Sequence, residues 1–201
     1  MNKVKKGEAG YIGYNRFSKV IISLILLIIP IGTYIAAFVI TGTNKNIISI
    51  IAIVACLPAC RFIVNAIMFF TIRSIPDDLH SQIEEHRGDL TLAYELYLTT
   101  RDKSTLLDAV AICGNNIVGL STFKKFDRAF LEQHITNTLR AAGYSCNVAV
   151  LSDSGKFIER LDSMNIHAES LRSSFRYKPD DRYPDLTGEE LILHNLMAVA
   201  L

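Results

Sequence analysis

The chain has 201 residues, 50% of them apolar, and a formal net charge of +1. That length holds one modest domain, or a small domain with an attached element. A charged fraction of 20%, no Trp and four Cys exclude a disordered acidic tail, a strongly basic nucleic-acid binder and a disulfide scaffold.

The near-neutral total hides an asymmetry. Residues 1–73 carry eight Lys/Arg against Glu8 alone, whereas residues 74–201 carry thirteen against nineteen Asp/Glu. Val20–Ile40 is 21 residues without a charge, and as a helix it would be about 31 Å long, matching a hydrocarbon core of ~30 Å. Ile47–Ile72 is a second apolar run with one charge, Arg61. Both are too long for buried core helices in a chain of this size, so the pattern predicts a transmembrane hairpin closed by the loop Thr41–Asn46. The first run is longer than a signal-peptide core and follows nineteen more polar residues, which points to an uncleaved anchor. Lys3, Lys5, Lys6, Arg16 and Lys19 precede the first span and Arg73 follows the second, against Lys45 alone in the loop. The positive-inside rule then places both termini in the cytoplasm, at a cell membrane whose anionic headgroups the basic segment attracts.

Arg61 lies ~21 Å along its helix, past the midplane and within snorkelling reach of headgroups. With Arg16, Lys19 and Arg73 it forms the expected set of membrane-interface cations. Pro58 should bend the second helix. Ala52, Cys56 and Cys60, and likewise Ala55 and Ala59, recur every four residues as ridges that Gly32 of the first helix is expected to face. Gly7, Gly10 and Gly13 lack the Walker pattern, and Tyr11, Tyr14 and Phe17 beside Arg16 and Lys19 read as an interfacial collar. Residues 1–19 are therefore a basic and aromatic juxtamembrane segment.

Residues 73–89 are expected to be a linker helix. Pro76, Asp77 and Asp78 open it, Leu79 and Ile83 share one side, and Gly88 follows its end. Residues 90–201 then make an α+β domain. Leu90, Leu92, Tyr94, Leu96 and Leu98 alternate with Thr91, Ala93, Glu95, Tyr97 and Thr99, a strand with one apolar face. Residues 108–120 read as a hairpin turning at Gly114-Asn115-Asn116, which completes a three-stranded antiparallel meander. Phe126, Phe130, Leu131, Ile135, Leu139 and Ala142 form a helical stripe over 124–142. A strand at Asn147–Ser152 and a short helix around Phe157, Ile158 and Leu161 follow, giving a mixed β-β-β-α-β-α core. Cys113 and Cys146 are expected as buried free thiols. A brief helix at His167–Phe175 precedes a loop, and the capping box Thr187–Glu190 starts a final helix over 188–200 whose apolar side docks on the domain or on a partner.

For chemistry, the most suggestive feature is Glu95 on the first strand and Asp108 opening the second. That order resembles the core of restriction-endonuclease-like nucleases, in which an acid precedes one strand and an E-x-K or D-x-K tripeptide occupies the next. The resemblance implies paired carboxylates on a divalent metal. Here the matching strand, Ile117–Leu120, has neither acid nor lysine, and Lys124 and Lys125 come after it. His80, His86, His134, His167 and His194 form no metal or catalytic spacing, and Ser104 and Ser121 lie in no nucleophile elbow. Lys124, Lys125 and Arg128 form a candidate binding patch, while the acidic balance of residues 74–201 argues against broad nucleic-acid affinity. No metal and no cofactor is expected. The domain is read as a regulatory, scaffold or sensory unit that binds a protein, a small ligand or a second copy of itself. The alternative is a nuclease-like enzyme using Glu95 and Asp108.

Overall fold

The computed structural model describes residues 4–43, 47–99, 104–123, 126–173, 175, 180 and 182–200. They form two compact units, one spanning Ile12–Arg73 and the other joining Met1–Tyr11 to Ser74–Leu201.

The first unit is a pair of apolar helices, α1 (Tyr11–Thr41) and α2 (Ile47–Thr71), both long and apolar enough to cross a membrane. α1 begins nine residues before the uncharged run at Val20, so the aromatic collar is its first turns. The residues between Thr43 and Ile47, Lys45 among them, lie outside the described residues. Burial recurs every seven positions, at Ser23, Pro30 and Ala37 on α1 and at Ala52, Ala59 and Ala66 on α2. Period seven keeps one narrow seam of small side chains on each helix. This corrects the four-residue ridges: Ala55 and Cys60 are exposed, and nothing approaches the Cβ position of Gly32 within 4 Å. Pro58 sits within α2 without ending it.

The second unit is a four-stranded sheet in the order β1-β2-β3-β4, with helices on both sides. β1 (Thr91–Thr99), β2 (Ser104–Cys113) and β3 (Asn116–Leu120) are the antiparallel meander, and β4 (Asn147–Leu151) lies parallel to β3. α3 (Asp77–Glu85) precedes the sheet, α4 (Arg128–Ala141) is the β3–β4 crossover, and α5 (Ser154–Ile166), α6 (Ala168–Ser173) and α7 (Gly188–Val199) follow β4. One core face joins Leu96, Leu98, Leu107, Val110 and Ile112 to Leu131, Ile135 and Leu139 of α4 and Ile192 and Leu196 of α7. The other joins Leu90, Tyr94, Ala109, Ala111, Cys113 and Val118 to Ile83 of α3 and Phe157, Leu161 and Met164 of α5. A parallel β3–β4 pair requires a crossover, and α4 supplies it. Its start is set by Asp127, whose carboxylate accepts the Phe130 N–H.

Several expectations shift. α3, anticipated as a linker, buries Ile83 in the second core face. α5 continues through Ile166, and α7 carries the anticipated capping box at Thr187 and Glu190 and docks on the domain itself. β2 begins at Ser104, so Asp108 lies within the strand instead of opening it.

The single apolar face of residues 90–98 is also corrected. Tyr94 packs in one core face, while Leu96 and Leu98 pack in the other; on β2 the same switch separates Leu107 from Ala109. The register pairs Tyr94 with Ala109 and Leu96 with Leu107, which leaves Glu95 opposite Asp108. Glu95 has φ +54, and a strand residue in that left-handed conformation reverses the alternation that follows it. The β2–β3 turn has its own constraint at Gly114. Its φ is +57, and a Cβ there would meet the Leu171 carbonyl oxygen at 2.5 Å, so only glycine fits.

Candidate functional site

Glu95 on β1, Asp108 on β2 and Ser121 directly after β3 lie at the level where the alternation switches. Their residual exposures are 2%, 4% and 0%. The Ser74 hydroxyl and the Ile75 N–H (3.1 Å) donate to the Glu95 carboxylate. The Asp108 carboxylate accepts the Thr122 N–H at 2.6 Å. Ser121 donates its hydroxyl to the Leu106 carbonyl at 2.7 Å and its N–H to the Leu151 carbonyl at 2.9 Å. A buried carboxylate is tolerated only with such donors, since isolated burial of the charge is strongly unfavourable. The two acids are thus brought level with each other, in a filled part of the sheet. Ile117, Val118 and Leu120 of β3 are core residues and add no polar group to these three. Among the described residues, no group of three His, Cys, Asp or Glu side chains is placed to hold a metal ion.

A second constellation was not legible in the sequence. Glu189, at the first turn of α7, accepts Arg172 Nε at 2.9 Å and Nη2 at 3.2 Å, the Gly114 N–H at 2.7 Å and the Thr91 hydroxyl at 3.0 Å. Desolvation is the largest single influence on Glu189 and pushes its carboxyl up, but the bonds from Arg172, Gly114 and Thr91 together outweigh it and hold it below the ordinary carboxylate value. The bond to Glu189 raises the Arg172 guanidinium in turn. Arg172 Nη2 also donates to the Asp89 carbonyl at 2.6 Å. Thr91, Arg172 and Glu189 border an open pocket of about 600 Å³ with Phe175 and Glu190. Arg172 lies in a segment without apolar periodicity, and nothing local marks Glu189 as its partner.

The histidines stay dispersed. His86 Nδ1 lies 2.7 Å from Asp162 Oδ1 at the surface, His134 stacks on Phe130, His167 meets the Ser163 carbonyl, and His194 leans on Tyr183. His80 packs edge-on against Tyr94, whose hydroxyl donates to Glu84 at 2.8 Å; burial, then this bond, pushes the phenol far above its usual value. Cys113 and Cys146 are buried free thiols. Burial raises both, Cys146 to about 11, and so disfavours their thiolate forms.

The basic candidates divide. Arg16 donates Nε to the Phe69 carbonyl at 3.2 Å and Nη2 to the Ile72 carbonyl at 2.8 Å, and its guanidinium lies 5.3 Å from the centre of the Phe70 ring. The Lys19 ammonium lies 5.5 Å from the centre of Phe62. Arg16 therefore serves the C-terminal end of α2, where orphan carbonyls favour positive charge, while Lys19 rests on an aromatic face earlier in the same helix. Arg61 and Arg73 are exposed. Lys124 and Lys125 lie outside the described residues, and Arg128 is paired with Glu132 at 2.8 Å.

Comparisons with protein-family models, with curated proteins and with solved structures return no match for this chain.

Proposed function

We propose that this chain is a membrane-anchored regulatory, scaffold or sensory protein: α1 and α2 span a cell membrane, both termini are cytoplasmic, and the sheet domain acts by binding. The observation that supports the anchor is the outward face of the helices. Ile28, Ile29, Val39, Ile50, Leu57 and Ile67 are exposed, an apolar surface suited to lipid and costly in water. The cations flanking the spans favour a cytoplasmic domain. Arg61 and Arg73 are free of the internal role taken by Arg16 and are proposed to contact anionic headgroups. The burial of Glu95 and Asp108 supports binding over catalysis, with a protein, a small ligand or a second copy of the chain as partner.

Cysteine labelling of intact cells tests the anchor, on a background lacking Cys56 and Cys60. Substituted Thr43→Cys should react with an impermeant reagent, and Lys5→Cys and Glu159→Cys should not. The opposite pattern sinks the topology.

A second reading, a nuclease-like enzyme using Glu95 and Asp108 with a divalent metal, draws on one observation: the register, pairing Tyr94 with Ala109 and Leu96 with Leu107, leaves the Glu95 and Asp108 positions level on neighbouring strands. Detergent-solubilised full-length protein with Mg²⁺ or Mn²⁺ should leave single- and double-stranded DNA and RNA intact. Turnover abolished by both Glu95→Gln and Asp108→Asn, with folding unchanged, would make the enzyme reading the correct one.

A further inference from the structure

The two stretches of chain that lead into α1 and out of α2 are fastened to successive residues of β1. On the incoming side, the Gly7 carbonyl accepts the Tyr94 N–H at 2.8 Å, and Lys6 Nζ donates to the Ala200 carbonyl at 2.6 Å. The fit is close. Gly7 has φ +90, and a Cβ there would lie 3.0 Å from Met197 Sδ and 3.5 Å from the Ala93 Cβ. Ala9 packs against the second core face, so residues 5–9 are inlaid on the domain instead of lying free before α1. On the outgoing side, Ser74 and Ile75 are the first residues beyond the helical pair's unit. Both donate to the Glu95 carboxylate, and the Ile75 side chain is buried in the same core face as Ala9.

Glu95 is the one non-glycine residue with positive φ among the described residues. An L-residue held there is strained and stays there only while its surroundings over-determine it. The outgoing chain supplies two of the bonds that hold it. Tyr94 is its immediate neighbour, so a change in the Glu95 backbone moves the donor that holds the incoming chain. Tyr94 also reaches α3 through its hydroxyl on Glu84. The segments that bracket the helical pair, with the 62 residues of Ile12–Arg73 between them, thereby meet at one dipeptide.

We propose that Tyr94 and Glu95 form a two-sided clasp that couples the two exits of the helical pair, so that loosening either exit loosens the other and disturbs β1. Coupling of this kind is reciprocal by thermodynamic necessity. It goes beyond the binding reading and needs no ligand.

The test is amide hydrogen exchange on the full-length chain in detergent, read at the Ile75 and Tyr94 amides, with the Leu139 amide of α4 as internal reference. Ser74→Ala removes one donor to Glu95 and leaves the Gly7–Tyr94 bond untouched. Gly7→Ala strains the incoming segment and leaves the Glu95 bonds untouched. We expect Ser74→Ala to speed exchange at Tyr94, and Gly7→Ala to speed it at Ile75, each by about tenfold, with Leu139 unchanged. A change confined to the substituted side overturns the clasp. So does an equal rise at Leu139, which is global loosening. Should Gly7→Ala fail to fold, the milder Lys6→Met, which removes the bond to Ala200, takes its place with the same reading at Ile75.

Discussion

Arg172 and Glu189 join parts of the domain that share no sequence signal. The guanidinium holds the carboxylate through two nitrogens, at 2.9 and 3.2 Å, while the same carboxylate accepts the N–H of Gly114 at the β2–β3 turn. One ion pair thereby ties α6, the start of α7, the turn and β1 together beside the open pocket. Its wall is built of groups whose hydrogen bonds are already made within the protein.

Removing one partner should be expensive. Arg172→Ala leaves Glu189 with two donors in a buried position, and a loss of about 1–3 kcal/mol is expected, moderated by the partial exposure of the arginine. The pH dependence has a definite sign. The folded state holds Glu189 below its ordinary value of 4.5, so its contribution is complete above that pH and is lost as pH falls through the lower folded value. The stability gap between wild type and Arg172→Ala, measured by chemical denaturation, should narrow under acid conditions. A gap independent of pH from neutrality down to acid would remove the carboxylate from the explanation.

Gly114→Ala should be poorly tolerated. The added Cβ meets the Leu171 carbonyl oxygen at 2.5 Å, and positive φ disfavours alanine as well. At a compatible site glycine replacement by alanine stabilises by up to ~1 kcal/mol, and at this incompatible one the loss should exceed that amount. Thermal melting of the full chain checks it, and a neutral result would show that the turn can open without cost.

Two residues of the same helical stripe should separate. Leu139 is fully buried, and Leu139→Ala should cost about 2–5 kcal/mol. Phe130 is only half-buried, stacked on His134, and Phe130→Ala should cost clearly less. Equal losses in denaturant titrations would contradict the facing of α4.

In the helical pair, Arg16→Ala withdraws one hydrogen bond from the Phe69 carbonyl in the last turn of α2, one from the Ile72 carbonyl just beyond it, and one contact with Phe70. Its final turn should fray by about 1 kcal/mol, seen as several-fold faster amide exchange at Phe69 and Ile72, while α4 is unaffected. Unchanged protection there would mean that the carbonyls find other donors.

Much of the fold is legible from local pattern alone. Apolar runs of twenty and more residues, one without a charge and one with Arg61 alone, mark α1 and α2, period-two alternation marks β1, and the stripe from Phe126 to Ala142 marks α4. The capping box at Thr187 and Glu190 marks the start of α7. These signals are readable because helix and strand periods, and the needs of a helix end, are set by backbone geometry within a few residues. The placement of Glu95 level with Asp108, the reversal of facing between Tyr94 and Leu96, and the grip of Arg172 on Glu189 obey no such local rule. Each depends on a strand register or on the approach of chain segments distant in sequence: Ser74 and Ile75 to Glu95, Leu171 to Gly114, Gly7 to Tyr94. A carboxylate in a sequence looks the same whether it will face solvent, a metal or a buried backbone N–H. Only the tertiary structure decides which donors reach it, because burial makes those donors obligatory.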